Sequence, residues 1–235
     1  MKDVALHILG DDVSYLSRHR DDFHLVTDLS PWGGSLLAFI NEWNDLWVRA
    51  LRRISPALLC DLLAFTGPQF HAYLETLDLD VMGDSISWAG PQPRPVGVQV
   101  AREYTEYWMH QQHIRDAVEQ PGLTEPRYFA PLLATFVLAL PHAYRDTPAP
   151  RGTCIRLVIT GPAGGTWDVV RGGAFWDFAA AEAVDSPAAT VTIDADTAWR
   201  IFTKGLSADE ATARATITGN AALARPMLST VAIIA

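Results

Sequence analysis

Glu106, His110 and His113 are the residues of this sequence whose types and spacing could do chemistry together. They lie in Glu103-Tyr104-Thr105-Glu106-Tyr107-Trp108-Met109-His110-Gln111-Gln112-His113-Ile114-Arg115-Asp116. At 100° per residue the three fall within about 60° of each other on one helix face. A carboxylate and an imidazole at i, i+4 can point at one ion, and neutral imidazole with carboxylate suits zinc or another first-row divalent metal. One helix cannot close such a site, so a ligand must come from elsewhere. His7 is a candidate: in its own helix Asp3, His7, Asp11 and Ser14 form a polar stripe opposite Ala5, Leu9, Val13 and Leu16. The pattern also fits a solvated polar face, because Tyr104, Trp108 and Val118 define an apolar face largely away from Glu106, His110 and His113. Spacing alone leaves both readings open.

The rest of the chain offers less. No Walker loop, dinucleotide fingerprint, HExxH or GxSxG occurs. Gly161-Pro162-Ala163-Gly164-Gly165 joins two strands and precedes no helix, so it reads as a hairpin turn. Cys60 and Cys154 give neither a disulfide framework nor zinc-finger spacing and read as two small buried hydrophobes. His19, His24, His71 and His142 read as surface or capping residues, and Trp43 with Trp47 as a packing pair at i, i+4.

The elements that must position the candidate ligands are helical up to about residue 146. The pattern predicts an amphipathic helix over 4–20 and a second one opened by Ser30-Pro31. The second runs through Leu36, Leu37, Ile40, Trp43, Leu46, Trp47, Ala50 and Leu51, with the 3, 4, 3 spacing of one buried face. Ser55-Pro56 opens a helix to about 77 that Gly67-Pro68 should kink or split. Residues 82–95 read as a loop with one short extended piece at Ser85–Trp88. Pro95 opens the long helix to Val118, and a mostly apolar helix over 126–145 should be a central bundle member. Asp146-Thr147-Pro148-Ala149-Pro150-Arg151-Gly152 reads as a linker. Beyond it the pattern is α+β. Strands are expected at Ile155–Thr160, Gly165–Val170, Ala189–Ile193 and Ala215–Thr218. Helices are expected at Ala195–Thr203, from the capping box Ser207…Glu210, and over Asn220–Val231. This gives two domains, 1–146 and 152–235.

Composition agrees with a folded protein of 235 residues, 49% hydrophobic and 19% charged. The net charge of −9 argues against nucleic acid, and it is concentrated up to residue 150, with 11 basic against 19 acidic residues; after it the counts are 7 and 8. No apolar run reaches the roughly 18 residues that span a bilayer, and no signal-peptide core precedes Gly10-Asp11-Asp12. A cytoplasmic protein without nucleic-acid or membrane partners, monomer or homodimer, is the expectation.

At the candidate ligands the sequence resembles a known family. "KDVALHILGDD" resembles the segment carrying the first metal histidine of DinB-like metal enzymes of the mycothiol-dependent maleylpyruvate isomerase type. "TEYWMHQQHIRDAV" resembles that family's second metal segment, glutamate followed four residues later by histidine. The tail from "TWDVVRGGAFW" onward is similar to the sterol-carrier-like domain that accompanies this bundle. The resemblance implies a DinB-like four-helix bundle followed by a small sterol-carrier-like α+β domain. Relatives usually carry a further helix before the first histidine, so the bundle either lacks its first helix here or continues upstream. It implies a divalent metal, zinc above all, on His7, Glu106 and His110, with His113 or Asp11 orienting those ligands from behind. Many relatives have aspartate where His113 stands. The implied cofactor is mycothiol, whose thiolate attacks an electrophilic small molecule in S-transfer or cis–trans isomerisation. Arg214 or Arg225 would pair with a substrate carboxylate; the resemblance selects neither. Two other functions fit the same scaffold: a non-catalytic small-molecule or lipid carrier, and a metal-dependent hydrolase in which water replaces the thiol.

Overall fold

Apolar spacing decides where the first helices pack. The computed structural model describes residues 1–179 and 185–233. Helix α1 (Lys2–Tyr15) buries Leu6, Leu9, Gly10 and Asp12 and continues as one π-helical turn over Leu16–Arg20. Helix α2 (Leu36–Leu51) does not begin at Ser30-Pro31 as the spacing suggested. Those residues form a separate 3₁₀ turn, Ser30–Trp32, ended by Gly33 and Gly34 at φ of 62° and 76°. Left-handed backbone cannot continue a right-handed helix. Ser35 therefore caps α2, its hydroxyl accepting from Ala38 N–H. Helix α3 (Pro56–Leu74) is capped by Ser55 and runs unsplit through Pro68.

Residues 82–95 are a hairpin rather than a loop. Strands β1 (Met82–Ile86) and β2 (Gly90–Pro95) pair antiparallel around a 3₁₀ turn at Ser87–Ala89. Pro91, Pro93 and Pro95 read as breakers in sequence. A two-stranded ribbon has an open edge on each strand and an irregular register here, so it tolerates residues without an N–H. Helix α4 (Val96–Ala117) follows at once. The apolar helix expected over 126–145 is two pieces, α5 (Pro126–Val137) and α6 (Leu140–Ala143).

The C-terminal strands are β3 (Cys154–Thr160), β4 (Gly165–Arg171), β5 (Trp176–Phe178), β6 (Ala189–Asp194) and β7 (Thr216–Gly219). Their order is β5-β4-β3-β6-β7, with β3 and β6 parallel and the other neighbours antiparallel. β3 and β6 place Ile155, Leu157, Ile159, Ala189, Val191 and Ile193 on one buried face. Helices α7 (Ala195–Phe202) and α9 (Ala221–Leu228) pack on β3 and β6. The capping box of α8 (Ala208–Arg214) forms as its sequence predicts, Ser207 and Glu210 exchanging side-chain-to-backbone hydrogen bonds.

The chain forms two compact units. The first comprises Met1–Val81 and Glu106–Gly122, the second Met82–Thr105 and the chain from Leu123 onward. The 146–152 segment, read as a linker, thus lies inside the second unit, together with α5 and α6. The reason is packing. Phe136 lies 5.8 Å from Phe202, Tyr144 lies 5.0 Å from Trp176 between ring centres, and the Tyr144 hydroxyl donates to Leu223 O at 2.8 Å. The architecture is mixed α and β, and none of the described helices is long and apolar enough to cross a membrane.

The core of the first unit is Leu6, Leu9 and Leu59, flanked by Ala5, Val13, Trp47, Val48, Leu51, Ile54, Leu62 and Leu63. Trp47 leaves the expected pairing with Trp43, which lies against Phe39 instead. Its indole N–H donates to Leu6 O at 2.9 Å, and a Cβ on Gly10 would sit 2.6 Å from the ring. Gly10→Ala is therefore expected to destabilise the protein by about 1–3 kcal/mol, the usual cost of an overpacked core. Chemical denaturation against the wild type measures it, and an unchanged midpoint would mean that Trp47 does not hold α1 at Gly10.

Candidate metal centre

The first unit brings His7, Glu106 and His110 together. One donor atom from each lies within 4.8 Å of the others. His7 comes from the middle of α1 and the other two from successive turns of α4. The His7 and His110 rings meet edge to face, 4.6 Å between centres. Glu106 Oε1 is 3.9 Å from His110 Nε2, too long for a hydrogen bond. Donors around one tetrahedral zinc stand about 3.3 Å apart, given bonds of about 2.0–2.1 Å, so a small closure completes the set.

His110 is not a solvated residue of its helix face. Its side chain is 15% exposed, and both ring nitrogens are buried without a hydrogen-bond partner. A surface histidine would meet water at one of them. Burial, with His7 and His113 nearby, drives its pKa down to about 3, and burial also lowers that of His7. Both rings are therefore neutral near pH 7 and hold a lone pair for a metal, as ligation requires. A carboxylate and two neutral imidazoles, with orphaned buried nitrogens between them, form a donor set that fits a divalent first-row ion.

Asp11 Oδ2 is 3.2 Å from His7 Nε2, one helical turn along α1. His113 is exposed, with its ring centre 5.7 Å from that of His110. Arg214, in the last turn of α8, and Arg225, in α9, are exposed residues of the second unit. His71, read as a surface residue, is exposed as expected but its ring lies 6.4 Å from that of Tyr107.

Two polar residues of this neighbourhood escaped the sequence pattern. Asp12 is 1% exposed, and its Oδ1 has no hydrogen-bond partner. Burial raises its pKa against the opposing hydrogen bond from Thr66. The Tyr107 hydroxyl is likewise buried without a partner. An acid on the inward side of α1 was the available signal for Asp12. Tyr107 carries no such signal, because tyrosine belongs in cores as readily as in sites.

No family model and no curated protein matches the sequence. Among solved structures, the chain is similar to sterol carrier protein 2 like 2 (SCP2-L2) from Aedes aegypti. The identity is 19% and the TM-score 0.32, over 42% of this chain and 95% of that one.

The depressed histidine values have a pH consequence with a definite sign. Between pH about 6.5 and about 3 the unfolded chain protonates His110 while the folded, metal-free protein resists it. The unfolded state then binds more protons, so stability falls as pH drops through that window. His110→Phe is expected to flatten this part of the stability–pH profile in denaturant titrations of metal-free protein. An unchanged slope would show that His110 is not held neutral by burial.

Proposed function

We propose that the protein binds one divalent metal ion, zinc in the first place, on His7, Glu106 and His110. We further propose that it uses mycothiol in S-transfer to, or cis–trans isomerisation of, a small electrophile. The observation that carries the metal reading is His110, whose two buried nitrogens lack partners within reach of a second imidazole and a carboxylate. The thiol chemistry rests on the resemblance of the two ligand segments to the maleylpyruvate isomerase type. On the same basis the first unit is proposed as a DinB-like bundle and the C-terminal α+β part as sterol-carrier-like.

A bound divalent cation favours the deprotonated form of a thiol at neutral pH. The chain's residues do the rest. His7 and His110 would supply neutral nitrogens and Glu106 one negative charge, so that a divalent ion held by them would keep a net positive charge. Asp11 holds His7 from its own helix, the usual arrangement by which a carboxylate fixes ring orientation and raises donor strength. His113 adds a third imidazole beside His110 and opposes its protonation. Arg214 or Arg225 would recognise a substrate carboxylate, Arg being suited to that planar group.

Elemental analysis of protein reconstituted with zinc tests the proposal. About one equivalent is expected in the wild type and none in His110→Ala. Asp11→Asn should weaken zinc binding by about 10- to 100-fold, as outer partners of ligating histidines generally do. Calorimetry should then show mycothiol binding to the zinc-loaded protein and not to the zinc-free one. Wild-type protein that retains no zinc would sink the metal reading. Turnover of an activated ester without any thiol would replace the transferase with a hydrolase.

A further inference from the structure

We infer that Asp12 and Tyr107 form a polar subsite beside the metal centre that takes a hydroxyl group on the arm of the ligand. The inference rests on the metal reading above. It starts from polar atoms that folding has buried and left unsatisfied. Asp12 Oδ2 accepts from Thr66 Oγ1 at 2.5 Å, a hydroxyl whose other contact is Leu62 O at 3.1 Å. Oδ1 of the same carboxylate has no partner, nor has the Tyr107 hydroxyl. Buried polar groups in folded proteins are nearly always bonded, and each unmet one costs about 1–3 kcal/mol.

Helix α3 ties the two together. Phe70 stands one turn after Thr66, so it faces the same way. Its ring stacks on that of Tyr107, 5.4 Å between centres at 26°. His71, next along α3, is close enough to act electrostatically on Asp12 and lies 6.4 Å from the Tyr107 ring. Tyr107 precedes His110 by three residues on α4, which puts it on the face that carries the metal donors. Asp12, through Thr66, and Tyr107, through Phe70, thus meet one face of α3, and the proposal places their unmet oxygens in one subsite.

A hydroxyl suits this pair, because it donates to Asp12 Oδ1 and accepts from Tyr107 in the same position. A carboxylate would be repelled by Asp12, and an alkyl group would leave both atoms unmet. The ligand class is therefore a small molecule with a metal-seeking atom at one end and a hydroxyl on the arm behind it.

The experiment uses the full chain loaded with Co²⁺, titrated with ω-hydroxyalkanethiols of increasing length and with the n-alkanethiols that match them. Binding is read from the sulfur-to-cobalt absorption. At one chain length the hydroxyl compound should bind about tenfold more tightly than its alkyl counterpart, the worth of one well-placed hydrogen bond. Tyr107→Phe should bring that ratio to about one with alkanethiol binding retained, and Asp12→Ala, which removes the acceptor that an amide would keep, should do the same. Tyr107→Phe keeps the stacked ring, so it stands as the test if Asp12→Ala fails to fold. No hydroxyl preference at any length, or one that persists in Tyr107→Phe, overturns the subsite and leaves ordered water as the partner of these atoms. Protein that takes up no cobalt overturns the metal reading together with the subsite. Cobalt uptake without the preference overturns the subsite alone.

Discussion

The seating of α1 is the constraint on which the candidate site depends. His7, Asp11 and Asp12 all ride on it, while Glu106 and His110 are fixed by another helix far along the chain. Two donor sets on separate helices converge only if the first helix has one rotation and one height. Leu6 and Leu9 set the rotation by packing with Leu59 of α3. Gly10 and Leu6 set the height, because the Trp47 ring occupies the space of a missing side chain and its N–H is bonded one turn below. A slip of one residue along α1 turns every side chain by 100° and would carry His7 away from His110. Burying a leucine stabilises by about 1.5–3 kcal/mol, so the Leu6 and Leu9 contacts disfavour such a slip.

The same packing creates the electrostatic tension of the site. Two imidazoles whose centres lie 4.6 Å apart cannot both be protonated cheaply, and burial opposes charge on either. Glu106 remains partly exposed, at 38% side-chain exposure. Neutral, buried nitrogens beside a part-exposed carboxylate are an arrangement that a cation would serve well. A fold stabilised by about 5–15 kcal/mol in total can ill carry several orphaned buried groups. A divalent ion on these donors would offset that cost, since structural zinc sites contribute about 10–16 kcal/mol.

Local chemistry carried the parts of the fold that were legible in the sequence. Pro95 placed the start of α4, Ser207 with Glu210 placed α8, and alternation in Ala189–Asp194 placed β6, because each signal acts within a few residues. The helix α2 starts later than Ser30-Pro31 suggested because Gly33 and Gly34 take left-handed backbone and Ser35 caps α2 instead. The hairpin over 82–95 was hidden by prolines whose tolerance depends on which edge they face. β5, three residues long, was too short to show periodicity. Glu106 and His110 were visible from helical spacing, and His7 from its polar stripe. Their convergence was expected only from the resemblance, since spacing within one helix says nothing of the rotation of another.

Asp12 shows most clearly what local patterns leave out. In sequence it is the second of two aspartates after a glycine, and a polar pair there looks like a solvated turn of helix. One residue along an α-helix is 100°, so the two cannot share an environment. Asp11 falls beside His7 at 31% side-chain exposure, while Asp12 turns inward to Thr66 at 1%. Their carboxyls are therefore opposite in kind: one lies beside His7 near the surface, and the other keeps a buried acceptor without a partner. An aspartate kept in a core without a full set of donors works against stability wherever it has no ligand to meet. Its removal from water fits the proposed site, to which α1 would bring a metal donor, the carboxylate beside that donor, and a contact for a ligand.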